Sequence, residues 1–164
     1  MPDIGAATCT GNRTIALMAE LSDIYSVRIL ELAGSLPKAV RLDAPDASAT
    51  AHSKLCGSTV TVDLALTNGR VTGFGQTVRA CVLGQGTAAV MAHAIIGSTP
   101  SELREVANTM RSMLKAGGEP PGGRWADLAA FAPVREVKGR HASTLLVFDA
   151  VERALELAEA KVKA

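Results

Sequence analysis

The sequence is short of aromatic rings, of cysteine and of net charge, and each shortage removes a class of function. Three Phe, one Trp and one Tyr are all the aromatics in 164 residues, although 48% of the chain is hydrophobic. The core must therefore be built mainly from Ala, Val, Leu, Ile and Met. Seventeen Lys and Arg against sixteen Asp and Glu leave a formal charge of +1. That balance lacks the basic excess of a nucleic-acid or anionic-membrane surface. Three cysteines are an odd number and too few for a disulfide framework, so the expectation is a cytoplasmic protein with free thiols. No window reaches the ~18 uninterrupted apolar residues of a transmembrane helix. The opening Met1-Pro2-Asp3-Ile4-Gly5 lacks the basic and apolar regions of a signal peptide. Also absent are Gly-x-x-x-x-Gly-Lys, His-Glu-x-x-His and Gly-x-Ser-x-Gly, and with them the phosphate-loop, zinc-protease and serine-hydrolase motifs.

What is present is a clear β-hairpin with a cysteine at each end. Val60, Val62, Leu64 and Leu66 alternate with Thr59, Thr61, Asp63 and Ala65, the period of a half-buried strand. Asn68-Gly69 supplies a two-residue turn, because both central positions of a type I′ turn need positive φ. The return strand starts at Arg70. Cys56 leads into the first strand and Cys81 follows the second, so both thiols are expected at one end of the sheet.

The remaining chain reads as helices around this hairpin. Residues 1–13, with Cys9, read as a loose leader whose thiol is exposed. Leu17, Leu21, Ile24, Tyr25, Arg28 and Leu32 form a helical stripe stopping at Gly34. Residues 38–46 are expected to form a first strand, closed by Pro45. After Cys81, Leu83, Ala88, Met91 and Ile95 mark the buried face of a helix ending near Gly97. Thr99-Pro100-Ser101-Glu102 is a helix start with a Thr cap, Pro at the first position and Glu at the third. Gly117-Gly118 ends that helix. Trp125–Phe131 reads as a short helix, and the last runs from about Arg140 to Lys161 with Val147, Val151, Leu155 and Ala158 inward. Strands in sequence followed by a run of helices predict an α+β fold. The expected architecture is a three-stranded antiparallel sheet with about five helices, in one domain over residues 1–164.

Two converging thiols in a reduced protein suggest metal, sulfur or redox chemistry; the alternative is a pair of buried structural cysteines. Gly57 after Cys56 suits tight backbone near a ligand. Cys81 precedes a helix, whose N-terminal partial charge favours a thiolate. His52, Ser58, His141 and Ser143 are the residues from which further metal ligands would be drawn. His93 lies within a helix and reads as packed or solvent-facing. A Cys81–His141 hydrolase lacks an oxyanion hole and an orienting acid.

These residues together resemble the NifU/IscU/SufU family of iron–sulfur cluster assembly proteins, over roughly residues 20–160. Ser22-Asp23-Ile24-Tyr25 is similar to the family's first helix, and Leu55-Cys56-Gly57-Ser58 to its first cysteine and strand. Cys81 with its small-residue helix is similar to the second cysteine. Ala94 to Ser98 and the helix from Pro100 fit the middle helices, Val134 to Ala150 fits the segment carrying the third cysteine, and 115–128 resembles the insertion of the SufU branch.

The resemblance implies a scaffold or sulfur acceptor rather than a turnover enzyme. It implies a cysteine desulfurase and cluster-assembly or acceptor proteins as partners, and iron or an iron–sulfur cluster as cargo; the alternative it implies is a zinc-binding sulfurtransferase of the SufU kind that accepts persulfide from the desulfurase. By the same resemblance Ser58 stands where the family has aspartate and Ser143 where it has its third cysteine. Cys56, Cys81 and His141 with one open position are then a chemically reasonable ligand set. Cys81 is the favoured persulfide acceptor, and Arg140 would hold anionic sulfur or dock a partner. A metal-free interaction protein is the remaining alternative.

Overall fold

The computed structural model describes residues 26–54 and 57–163. The expected leader, the first half of the 17–32 stripe, Cys9 and Cys56 lie outside the described residues. The chain begins with α1, Val27–Gly34, whose N-terminus is capped by Ser26 Oγ accepting from Ile29 N–H and whose Ile29 and Leu32 are buried. Then come β1 (Ala47–His52), β2 (Thr59–Thr67), β3 (Arg70–Arg79), α2 (Val82–Ala94) and α3 (Pro100–Ala116). A long 3₁₀ stretch, Gly123–Glu136, and a 3₁₀ turn, Lys138–Arg140, lead into α4, His141–Lys163. The sheet is antiparallel in the order β1-β2-β3.

The hairpin forms as its sequence requires. Asn68 and Gly69 take φ of 53° and 74°, the left-handed pair that closes a two-residue turn without splaying the strands. Register runs from Thr67 opposite Arg70 to Thr59 opposite Arg79, with one irregularity at Ala65/Leu66. Val60, Val62 and Leu64 are fully buried and turn the inner sheet face toward α4, whose Val147, Val151, Leu155 and Ala158 are buried as expected. Buried Phe131, Phe148 and Trp125 fill the space that the aliphatic residues leave. The α3 start also follows its sequence: Thr99 Oγ1 accepts from Glu102 N–H, and Gly117 ends the helix in the left-handed conformation.

The first strand is not where the sequence pattern put it. It spans Ala47–His52, whereas residues 38–46 contribute an isolated bridge from Val40 to Gln76 and a backbone bond from Asp46 N–H to Leu64 O. They form a strap that starts at the β3 edge and crosses the outer sheet face toward β1. Gly75 makes room for it, since a Cβ there would lie 2.5 Å from the Val40 carbonyl oxygen. The physical reason is a buried carboxylate. Arg41 grips Asp63 with Nε at 2.7 Å and Nη2 at 3.0 Å, Leu42 N–H donates to it at 3.0 Å, and Ser48 Oγ donates from β1. A backbone N–H spent on a side chain is unavailable to a strand ladder.

Asp63 is fully buried. Burial pushes its carboxyl up, but the hydrogen bonds from Arg41, Ser48 and Leu42 N–H, together with the Arg41 charge, outweigh that and hold it below the ordinary carboxylate range. Asp63→Asn sets an amide N–H₂ among these donors and is expected to cost about 2–3 kcal/mol in urea unfolding. The sign with pH follows from the lowered pKa. The Asp63 contribution is fully present above the unfolded value of about pH 4 and is lost as pH falls through the folded value. The gap between wild type and Asp63→Asn should therefore be constant at neutral pH and narrow only in acid; a gap that narrows on the alkaline side would contradict this.

Candidate metal and sulfur site

The register that pairs Thr59 with Arg79 brings the β1–β2 turn beside the link from β3 to α2. The turn is closed by two backbone hydrogen bonds, Ser53 N–H to Ser58 O at 2.8 Å and Gly57 N–H to Ser53 O at 2.9 Å. Gly57 has φ of 70°, a conformation that costs other residues roughly 1–2 kcal/mol. Cys56 belongs to this turn in sequence but lies outside the described residues. Ser58 is buried, and His52, exposed at the end of β1, shares a hydrogen bond with Thr59 Oγ1 at 3.2 Å.

On the other side of the register, Arg79 ends β3 and Cys81 is the N-cap residue of α2, with extended backbone. Its carbonyl accepts from Gln85 N–H, and Gln85 Nε2 reaches back to Ala80 O at 2.8 Å, which fixes the link. The Cys81 side chain makes no cap hydrogen bond. Half-buried, it turns instead to α4 and donates to Ser143 Oγ across 3.5 Å. Ser143 Oγ in turn donates to Arg140 O at 3.2 Å. The thiol thus stands where the first turns of α2 and α4 meet.

Gly84 makes that meeting possible. A Cβ on Gly84 would lie 2.7 Å from Ala80 Cβ and 3.1 Å from Ser143 O, so α2 and the start of α4 touch backbone to backbone beside the thiol. His141 opens α4, is buried, and has Nε2 3.0 Å from Val134 O and 3.2 Å from Arg135 O. Carbonyls only accept, so Nε2 carries a proton and donates it to them. Metal-bound histidines use this same arrangement to fix their tautomer.

The separation of Cys81 Sγ from Ser143 Oγ has a chemical meaning of its own. Tetrahedral bonds of about 2.3 Å to sulfur and about 2.0 Å to oxygen place two ligands of one ion about 3.5 Å apart. That is the distance observed. Among the described residues, however, no three His, Cys, Asp or Glu side chains gather closely enough to hold a metal ion.

Comparison with known proteins meets this geometry at one point. The N-terminal domain of a nitrogen-fixing NifU-like protein from Brucella abortus is 52% identical and superimposes with a TM-score of 0.85, covering 87% of this chain and 99% of its own. The chain belongs to the NifU-like family. A candidate iron–sulfur cluster assembly scaffold protein of the SUF system from thermophilic Fervidobacterium islandicum shares the fold at 22% identity, with a TM-score of 0.74 over 82% of this chain and 98% of that one. No family model and no curated protein matches the chain.

Within this NifU-like domain the sequence candidates separate. Cys81 and Ser143 are in contact, and His141 lies in the same helical turn as Ser143. His93 is excluded by its position: it sits twelve residues along α2 from Cys81, about 18 Å away, and bonds Ser35 Oγ at 3.3 Å. Gly84 escaped the sequence reading, although a glycine within a helix, two residues from another at Gly86, was the available signal of close approach. No helix among the described residues is long and apolar enough to cross a membrane.

Gly84→Ala tests the contact. The substitution gains about 1 kcal/mol of helix propensity, yet the backbone collision is expected to leave a net loss of about 1–2 kcal/mol. It should also speed alkylation of Cys81 by iodoacetamide, followed by peptide mass spectrometry, because the first turn of α4 must move away. Unchanged stability and unchanged alkylation would mean that α2 and α4 do not meet so closely.

Proposed function

We propose that this chain is a scaffold on which an iron–sulfur cluster is assembled, with the Cys56 and Cys81 thiolates as its principal ligands and a cysteine desulfurase as the source of sulfur. The observation that carries the reading is the 52% identity to a NifU-like N-terminal domain over nearly all of that domain. The shared fold of the Fervidobacterium protein, itself a candidate cluster-assembly scaffold, agrees with it. The cluster is cargo: it is built on the protein and passed on.

The residues present fit such a cargo. Cys81 is a free, half-buried thiol at a helix N-terminus, able to ligate iron or to receive sulfur from a desulfurase persulfide. Ser143 Oγ stands at ligand spacing from it. Its proton is committed to Arg140 O, so it offers a neutral oxygen, a weak donor for iron compared with a thiolate. His141, with its Nε2 turned to the carbonyls of Val134 and Arg135, is the alternative donor through Nδ1, and Ser58 follows Cys56 by two residues in sequence. A site with two strong ligands and weak further ones holds its cargo loosely, as transfer requires. Reduced thiols fit a cytoplasmic setting.

The test is elemental. Protein purified without oxygen and without a metal-affinity tag, or reconstituted with iron and sulfide, is expected to carry iron and acid-labile sulfide, both lost in Cys56→Ser and in Cys81→Ser. His141→Ala should lose the cluster if Nδ1 ligates and retain it if Ser143 does. Ser143→Cys should slow removal of iron by a chelator roughly tenfold or more, since it adds a thiolate at ligand spacing. Zinc without sulfide would move the reading to a zinc-dependent sulfur acceptor. No metal at all, even after reconstitution, would overturn it.

A further inference from the structure

Gln76 is a polar residue on an apolar face. It pairs with the fully buried Val62 across β2 and β3, and directly paired residues share a face of the sheet. Its neighbours on that face, Phe74 and Val78, pack on the core. Gln76 is 6% exposed, and its Nε2 donates to the carbonyl of Ala88 on α2 at 3.0 Å. Its Oε1 is buried, and no donor among the described residues reaches it. A buried acceptor without a donor is rare in a folded chain and costly to leave so. Gln76 also lines a groove of about 230 Å³, walled by Val40 of the strap, Phe74 of β3, Ala92 near the end of α2 and Ile96 just past it. Val40 and Ile96 are two of the five large apolar side chains left exposed among the described residues. Such side chains are ordinary singly, but here two share one groove. Lys38 lines it too, exposed and in no ion pair with any described residue, and no acidic side chain joins the lining. Ala92 lies eleven residues along α2 from Cys81, about 16 Å, so the groove is separate from the thiol site.

We propose that this groove binds a small carboxylic acid that has an apolar body and a neutral N–H or O–H. The body covers Val40, Phe74 and Ile96, the carboxylate meets Lys38, and the N–H or O–H gives Gln76 Oε1 the donor that the fold does not supply. The donor is neutral because a cation would find no counter-charge in the lining. The last torsion of a glutamine side chain is broad, so a small turn of the amide carries Oε1 to the ligand. The groove is smaller than the pockets that take drug-sized molecules, which limits the ligand to a compact one.

The experiment titrates indole-3-acetate, as the probe, into the full chain and follows the backbone and side-chain amide signals by NMR. Two further probes each lack one feature. 1-Naphthaleneacetate keeps the carboxylate and a fused ring but has no N–H, and indole keeps the ring and N–H but has no carboxylate. Indole-3-acetate should shift the Gln76 side-chain amide together with signals of residues 38–40 and 92–96. It should bind about tenfold tighter than 1-naphthaleneacetate and a few-fold tighter than indole, since Lys38 is exposed. In Gln76→Leu the two acetates should bind equally, and in Lys38→Gln indole-3-acetate should fall to the level of indole. If Gln76→Leu fails to fold, the two acetates compared on wild type decide the matter alone. Equal binding of the acetates to wild type overturns the site and leaves plain apolar contact. Shifts confined to other parts of the molecule, or none at millimolar probe, overturn it as well.

Discussion

Thr59 lies opposite Arg79 because Asn68 and Gly69 close β2 onto β3 at Thr67 and Arg70, and the irregularity at Ala65/Leu66 then shifts the pairing by one residue. Everything at the thiol end depends on that pairing. Side chains alternate along a strand, so a slip of one residue would send Val60, Val62 and Leu64 outward and strip α4 of its packing surface. It would also carry the Ser53–Ser58 turn away from Cys81. Fold and site therefore have a common origin: the apolar stripe that recruits α4 also fixes which loops stand beside the thiol.

A second constraint acts on the opposite sheet face. Asp63 follows the alternation faithfully and points away from the core, yet it is fully buried, because the strap through Arg41 and Leu42 lies over it. Alternation tells which face a residue occupies and says nothing of what covers that face. The same blindness explains the displaced first strand. Ala39-Val40-Arg41-Leu42 alternates between Pro37 and Pro45 as a strand would, but its Leu42 N–H answers a carboxylate rather than a neighbouring strand.

The hairpin, the caps at Thr99 and Gly117 and the inward stripe of α4 were legible in the sequence because each is a local signal, set by a turn, a cap or a period. The site was legible only in part. The sequence placed Cys81 at a helix start, and the structure agrees. It left His141 and Ser143 open, since residues two apart on a helix point about 200° from one another and only the docking of α4 decides which faces the thiol. Ser143 takes that place and His141 turns its Nε2 to the carbonyls of Val134 and Arg135. The close approach at Gly84 was hidden for the same reason: it is a property of two helices, and one helix was in view.

The contact between Cys81 and Ser143 joins residues 62 positions apart in the chain, and this has a consequence for the order in which the molecule forms. During synthesis the hairpin and α2 are complete before any of α4 exists. Until residues 141–163 are made and settle on the sheet, its inner apolar face is bare and the thiol lacks its neighbour. Long-range closure of this kind is slow compared with local helix and turn formation. The nascent chain thus passes through a period in which the sulfur is present and its enclosure is not, and the arrival of α4 ends it.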